Sequence, residues 1–193
     1  MKKKKIVALL TACMLMTGMF NVANVTAAVA ACLRAGISMD EITDVLENYT
    51  GVRGRCEIIP TGREFTVICD YAHTPDAIEN ILSSVKEYTT GRLLCLFGCG
   101  GNRDRTKRPK MAAAAAKYAD MLIITSDNPR DEDPEAIIAE IVTGLEGTNV
   151  PYEIVVDRKE AILKGMQIAK SGDVLVLAGK GHEDYQEIEV GGK

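Results

Sequence analysis

Leu93-Leu94-Cys95-Leu96-Phe97 runs straight into Gly98-Cys99-Gly100-Gly101-Asn102-Arg103-Asp104-Arg105. Five apolar residues without alternation read as a strand buried on both faces. The glycines and charges that follow read as its exit onto a rim, and the spacing predicts a helix from about Pro109 to Tyr118. The same unit recurs along the chain. Upstream, Phe65–Cys69 reads as a strand and about 75–88 as a helix. Downstream, strands are expected at Met121–Ile124, Tyr152–Val156 and Val174–Leu177, with helices at about Pro134–Leu145 and Arg158–Ala169. Short apolar strands alternating with amphipathic helices predict an α/β fold, an open, mostly parallel, twisted sheet with helices on both faces. Its crossovers should be right-handed, and its ligands should sit beyond the carboxyl ends of the strands. Thr50 to Thr61, with Gly51, Gly54 and Pro60, reads as a loop.

Upstream of that loop the pattern changes. Val22, Val25, Val29, Cys32 and Leu33 recur at helical spacing until Gly36. Ser38 with Glu41 three residues later is a capping box for a second helix, to about Asn48. This helical pair has no strand of its own and reads as the end of another domain. The expected organisation is therefore 1–17 as a separate N-terminal segment, 18–50 as a helical remnant and 51–193 as the sheet domain. Residues 1–17 carry four lysines before an apolar run, Ile6 to Met16, which is the pattern of a secretory signal. Leu10-Thr11-Ala12-Cys13 resembles a lipoprotein lipidation site. The run is too short to span a bilayer as a helix.

Composition narrows the functional classes. The 193 residues are 47% apolar and 26% charged, as in an ordinary globular protein and unlike a disordered, collagenous or polytopic membrane chain. A formal net charge of −4, with 5% aromatics and no Trp, argues against a nucleic-acid partner. Six cysteines form no CxxC pair, and Cys95 and Cys99 have no neighbouring His, so reduced thiols are expected rather than a zinc site or disulfides.

The strand exits carry the chemistry. The first ends in Asp70-Tyr71-Ala72-His73-Thr74-Pro75, where a carboxylate beside a His suits a ribose hydroxyl. The Asp is about as well explained as a helix N-terminal charge. The second is the glycine-rich stretch with Arg103, whose guanidinium can fork onto a carboxylate or phosphate. The third is Thr125-Ser126-Asp127-Asn128-Pro129-Arg130, and the last is Gly179-Lys180-Gly181-His182-Glu183. Any one of these alone reads as a solvated turn. Four on one rim converge on one crevice.

Asp-Tyr-Ala-His-Thr-Pro-Asp, Gly-Cys-Gly-Gly-Asn-Arg-Asp, Lys-Arg-Pro, Ser-Asp-Asn-Pro-Arg and Gly-Lys-Gly-His-Glu follow one another in that order. Their order and spacing resemble the C-terminal domain of the Mur ligases, a Rossmann-like α/β domain. Met19-Phe20-Asn21-Val22-Ala23-Asn24 and the helices after it resemble the end of that family's central ATP-binding domain. The resemblance implies part of an ATP-dependent amino-acid ligase of peptidoglycan synthesis. In the whole reaction, ATP phosphorylates the D-glutamate carboxylate of a UDP-N-acetylmuramoyl dipeptide. The amino group of meso-diaminopimelate then attacks the acyl phosphate.

By the same resemblance, Asn21, Asn24, Arg55, Asp70 and His73 belong to ATP. Arg103, Asp127, Asn128, Pro129, Arg130, Gly179 and Glu183 belong to diaminopimelate. The chemistry agrees: an Arg fork fits the second carboxylate of diaminopimelate, Glu183 can accept from its ammonium, and Asn128-Pro129 can hold Arg130 rigid. Relatives that add lysine lack this Arg, so Arg130 points to diaminopimelate. No G-x-x-x-x-G-K-[ST] phosphate loop occurs in the 193 residues. The lysine that the family carbamylates to bind Mg2+ is also missing. The expectation is thus a fragment, inactive alone, with no metal site of its own, working in the cytoplasm where ATP and the UDP-linked precursor are found. The competing expectation is a secreted or lipid-anchored α/β ligand-binding module, supported only by the signal-like residues 1–17. A weaker one is a domain that only binds amino acid or nucleotide.

Overall fold

The computed structural model describes residues 23–49 and 51–188. The chain divides into two compact units with the break between Gly51 and Val52. In the first, residues 23–34 form a helix, α1, and Met39–Glu47 form α2. The Ser38 hydroxyl accepts from the Glu41 amide at 3.3 Å while the Glu41 carboxylate accepts from the Ser38 amide at 2.9 Å. That is the reciprocal box expected from the sequence. Residues 1–17, and with them the signal-like run and Cys13, lie outside the described residues.

The second unit is a six-stranded sheet. Its elements are β1 (Glu57–Ile59), β2 (Thr66–Asp70), α3 (Pro75–Lys86), β3 (Leu93–Phe97), α4 (Lys107–Ala116), β4 (Met121–Ile124), α5 (Pro134–Val142), β5 (Tyr152–Ile154), α6 (Arg158–Ile168) and β6 (Val174–Ala178). The strand order is β1-β2-β6-β3-β4-β5. All neighbours are parallel except β1, which runs antiparallel to β2. The last strand therefore does not extend the sheet. It inserts between β2 and β3.

Alternate residues of each strand feed opposite faces. Ile68, Cys95, Phe97, Leu122, Ile124 and Val176 pack on one side with α3, α4 and α5. Val67, Leu94, Leu96, Ile123 and Leu175 pack on the other with α6. Leu93 to Phe97 are all fully buried, which is why the run shows no alternation. Each such Leu or Ile contributes about 1.5–3 kcal/mol by leaving water. Helix starts are set locally: Thr74, Asp133 and Asp157 cap α3, α5 and α6 with their side-chain oxygens.

Four details differ from the sequence reading. The stretch 50–61 is not all loop, because Glu57-Ile58-Ile59 pairs with β2 as an edge strand. Its brevity, between Cys56 at φ +48° and Pro60, hides it from periodicity. Helix α4 starts at Lys107 rather than near Pro109, since a proline in the first turn lacks only an N–H that has no helical acceptor there. The fifth strand stops at Ile154, and α5 gives way to a single 3-10 turn, Thr143–Leu145. Among the described residues no helix is long and apolar enough to cross a membrane.

Candidate functional site

Inserting β6 between β2 and β3 puts the exit Gly179–Glu183 between the exits of those two strands. The contact is fastened through the main chain. The amides of Gly179 and Gly181 both donate to the Asp70 carbonyl, at 3.0 and 3.2 Å. The Asp70 carboxylate is also engaged, with one oxygen accepting from the Cys56 amide at 2.7 Å and the other from the Ala72 amide at 2.8 Å. Asp70 thus ties β1, β2 and β6 together at the rim. Gly54 lies against the same turn so closely that a Cβ there would stand 2.1 Å from the His182 nitrogen.

That closeness assembles a cluster around Tyr71. The Arg55 guanidinium lies 4.6 Å from the ring centroid, a cation–π distance. His182 stacks on it at 5.9 Å and His73 meets it edge-on at 4.9 Å. His73 Nδ1 bonds the Tyr71 carbonyl at 2.7 Å, and Lys107 donates to the His73 carbonyl at 3.0 Å. A partly exposed aromatic cluster carrying a guanidinium over one ring suits a nucleobase or another planar ring.

Tyr71 also links this cluster to a second group. Its hydroxyl donates to Glu183 Oε1 at 3.1 Å, which pushes the phenol pKa up. The other Glu183 oxygen accepts from Lys180 Nζ at 3.1 Å. Lys180 is 6% exposed and also donates to Asn128 Oδ1 at 2.5 Å. Burial pushes the Glu183 carboxyl up, but the hydrogen bonds from Lys180, Tyr71 and Asn128 outweigh it, and its pKa lies below the usual range. Glu183 is therefore held as a carboxylate in a largely buried place. Gly179, at φ +110°, lets the Asp127 carboxylate close over it, since a Cβ there would be 2.9 Å from Asp127 Oδ2.

The third group is the pair of exits from β3 and β4. Gly101 and Pro129 touch so closely that a Cβ on Gly101 would lie 1.8 Å from the Pro129 carbonyl oxygen. The Gly101 amide donates to the Asn128 carbonyl at 2.8 Å. Arg130, at φ +52°, donates from Nη1 to the Gly101 carbonyl at 2.9 Å, and its Nε is 2.7 Å from Glu187. Arg103 is exposed and donates to the neighbouring Asn102 carbonyl at 3.1 Å. Both arginines border Gly100: a Cβ there would meet Arg130 Nη1 at 3.0 Å and Arg103 Cγ at 3.8 Å.

Beneath them, fully buried Arg108 forks onto Glu132 at 2.8 and 2.9 Å and reaches Glu140 at 2.7 Å. That grip pulls the Glu132 carboxyl down to about 2. Glu132 in turn accepts from the Asn102 amide at 2.6 Å, so Arg108 anchors the glycine-rich loop from below.

The structure brings together Arg103, Asp127, Asn128, Pro129, Arg130, Gly179 and Glu183 on neighbouring strand exits. It gathers Arg55, Asp70 and His73 around Tyr71. Asn24 is an exposed residue of α1 in the other unit, and Asn21 lies outside the described residues. Residues the sequence reading did not single out are Tyr71, Lys180, His182, Glu187, Arg108 and Arg158. Lys180, His182 and Arg108 stand inside quoted motifs, but nothing local marks them as buried or stacked. Arg158, the first residue of α6, is 7% exposed and donates to the Ala178 carbonyl at 2.8 Å, bracing the end of β6. Among the described residues no group of three or more His, Cys, Asp or Glu could hold a metal ion.

The family described as Mur ligase, glutamate ligase domain, matches residues 54–181. Over 175 residues, the chain is 51% identical to the UDP-N-acetylmuramoyl-L-alanyl-D-glutamate–2,6-diaminopimelate ligase of Bacillus cereus, covering 91% of this chain and 35% of that protein. It is 53% identical over 171 residues to the enzyme of the same name numbered 1 in Clostridium acetobutylicum, covering 88% and 35%. A solved structure of a UDP-N-acetylmuramoyl-L-alanyl-D-glutamate–2,6-diaminopimelate ligase superposes with a TM-score of 0.67 at 43% identity, over 89% of this chain and 35% of that one. The chain thus spans 35% of the length of the relatives it matches.

Proposed function

Because the chain belongs to the Mur ligase family of ATP-dependent ligases, we propose that it is the part that presents meso-diaminopimelate to an activated UDP-N-acetylmuramoyl-L-alanyl-D-glutamate. The observation that carries this reading is the meeting of two arginines against Gly100, one strand exit away from a Glu183 held as a carboxylate. Diaminopimelate has an amino-carboxylate centre at each end. Arg103 and Arg130 take the distal carboxylate, and Glu183 and Asp127 accept from the distal ammonium. Anchoring that end leaves the other amino group free to attack. Asn128 and Pro129 hold Arg130 in place, and Gly179 lets the Asp127 carboxylate reach over the end of β6.

ATP belongs to the cluster of Arg55, Tyr71, His73 and His182 in the sheet unit. Asp70 acts there through the main chain it fastens. The helical segment 18–50 is the end of the family's central domain. Mg2+ would be held by the central domain of the whole ligase, where the family carries its carbamylated lysine. The 193 residues alone form no amide, because positioning a γ-phosphate needs a phosphate loop. We place the reaction in the cytoplasm, where its nucleotide substrates are found.

The test is steady-state kinetics on a chimera of residues 52–193 with the N-terminal and central domains of a relative. An Arg–carboxylate bond contributes about 1.5–3 kcal/mol, so the chimera should prefer meso-diaminopimelate over lysine roughly ten- to hundredfold. Arg130→Ala should raise KM for diaminopimelate and spare ATP. Equal use of both amino acids by the unmutated chimera would overturn the reading.

A further inference from the structure

Resting on that reading of the rim as an amino-acid site, we infer that Glu187 is a specificity-determining residue, an internal carboxylate seated on Arg130 that the ligand's distal carboxylate must displace. The guanidinium has a fixed orientation. Nη1 is turned into the loop onto the Gly101 carbonyl at 2.9 Å, which leaves the Nε–Nη2 edge to grip a carboxylate with two bonds. Glu187 Oε2 already stands 2.7 Å from Nε. A ligand carboxylate that needs this edge competes with it directly.

The contact is built by the main chain. The Glu187 amide donates to Asn128 Oδ1 at 2.9 Å, and its carbonyl accepts from the Arg130 amide at 3.1 Å. Ile188 continues the contact as a parallel bridge to Arg130. These bonds hold the segment beside the arginine whatever the side chain does. The two side chains differ in their freedom, with Glu187 48% exposed and Arg130 21% exposed. Glu187 can swing into water at little cost, whereas Arg130 is less free to lose a partner.

The consequence is for selectivity. When lysine binds, no second carboxylate arrives, and Glu187 stays on Arg130. When diaminopimelate binds, the carboxylate replaces Glu187, and the gain is reduced by the pair it breaks. Glu187 thus weakens the diacid and leaves the monoacid untouched, which lowers discrimination between them.

Calorimetry on the 193-residue chain tests this, with meso-diaminopimelate and lysine as titrants. Glu187→Gln and Glu187→Ala both keep the main-chain bonds. Each should bind diaminopimelate roughly two- to fivefold tighter, the range of a partly exposed ion pair. Lysine binding should not change, and the gain should shrink at high salt. Adding Arg130→Ala to Glu187→Gln should abolish the gain. If the parent binds diaminopimelate and both single variants bind it equally or more weakly, the inference is wrong and the amino-acid site stands. If the parent does not bind diaminopimelate at all, the site reading fails and this inference with it.

Discussion

Gly101 and Gly100 are adjacent and chemically identical, yet alanine should act very differently at the two. A Cβ at Gly101 would lie 1.8 Å from the Pro129 carbonyl oxygen and 2.8 Å from its carbon, both main-chain atoms. Reaching even 3.0 Å requires the β3 and β4 exits to part by about 1 Å, against tight packing. Two of the hydrogen bonds across that seam are made by Gly101 itself, Gly101 N to Asn128 O at 2.8 Å and Arg130 Nη1 to Gly101 O at 2.9 Å. At about 1 kcal/mol each, plus the strain, Gly101→Ala should cost about 2–4 kcal/mol. At Gly100 the nearest atom is Arg130 Nη1 at 3.0 Å, the far end of a side chain, and the next is at 3.7 Å. Gly100→Ala should therefore stay within about 0.5 kcal/mol of the parent.

Urea unfolding measures both, with the Gly101→Ala midpoint expected to fall by about 1–2 M. In calorimetry, both variants should bind meso-diaminopimelate more weakly, Gly101→Ala far more so, because a displacement of about 1 Å costs on the order of a hundredfold where placement matters. Equal stability of the parent and Gly101→Ala would refute the seam, and so would equal loss at the two glycines.

Three further outcomes are expected. Lys180→Met removes the main donor that offsets burial of Glu183, so that carboxyl should move from below the usual range to above it, read by carboxyl 13C NMR across a pH titration. Asp173, 3% exposed, is pushed up by burial but pulled down further by hydrogen bonds from Arg92 and Lys170, so its folded pKa is depressed. Its contribution is present above the unfolded value near 4 and fades as pH falls through the folded value. Asp173→Asn should cost about 2 kcal/mol at pH 7, limited by screening of half-exposed Arg92, and flatten the acid limb of a stability–pH curve. Burial pushes the thiols of Cys95 and Cys99 up to about 12 and that of Cys56 up to about 11. Iodoacetamide at pH 8 should therefore modify these three slowly in the native chain and fully in denaturant, as seen by peptide mass mapping.

The alternation of apolar strands with helices was legible because a strand buried on both faces must be apolar throughout. The run from Leu93 to Phe97 and the capping box at Ser38 are local facts that need no neighbour. The exits were legible for the same reason: glycines and charges directly after a buried strand have to stand on the rim. The Glu57–Ile59 strand was not, since three residues between turns carry no period, and its pairing with Val67–Cys69 is made across the chain. Nor was the place of the last strand. Val174–Ala178 is as apolar as Leu93–Phe97, so either could occupy the centre or the end of the sheet. Only the tertiary structure inserts it between β2 and β3, and that choice sets Lys180 and Glu183 against Tyr71 and Asn128. The pairing of Arg130 with Glu187, 57 residues further on, is equally invisible beforehand. Sequence fixes which side chains leave each strand, because that depends on neighbours one or two bonds away. Which exits meet depends on strand order, a property of the whole sheet.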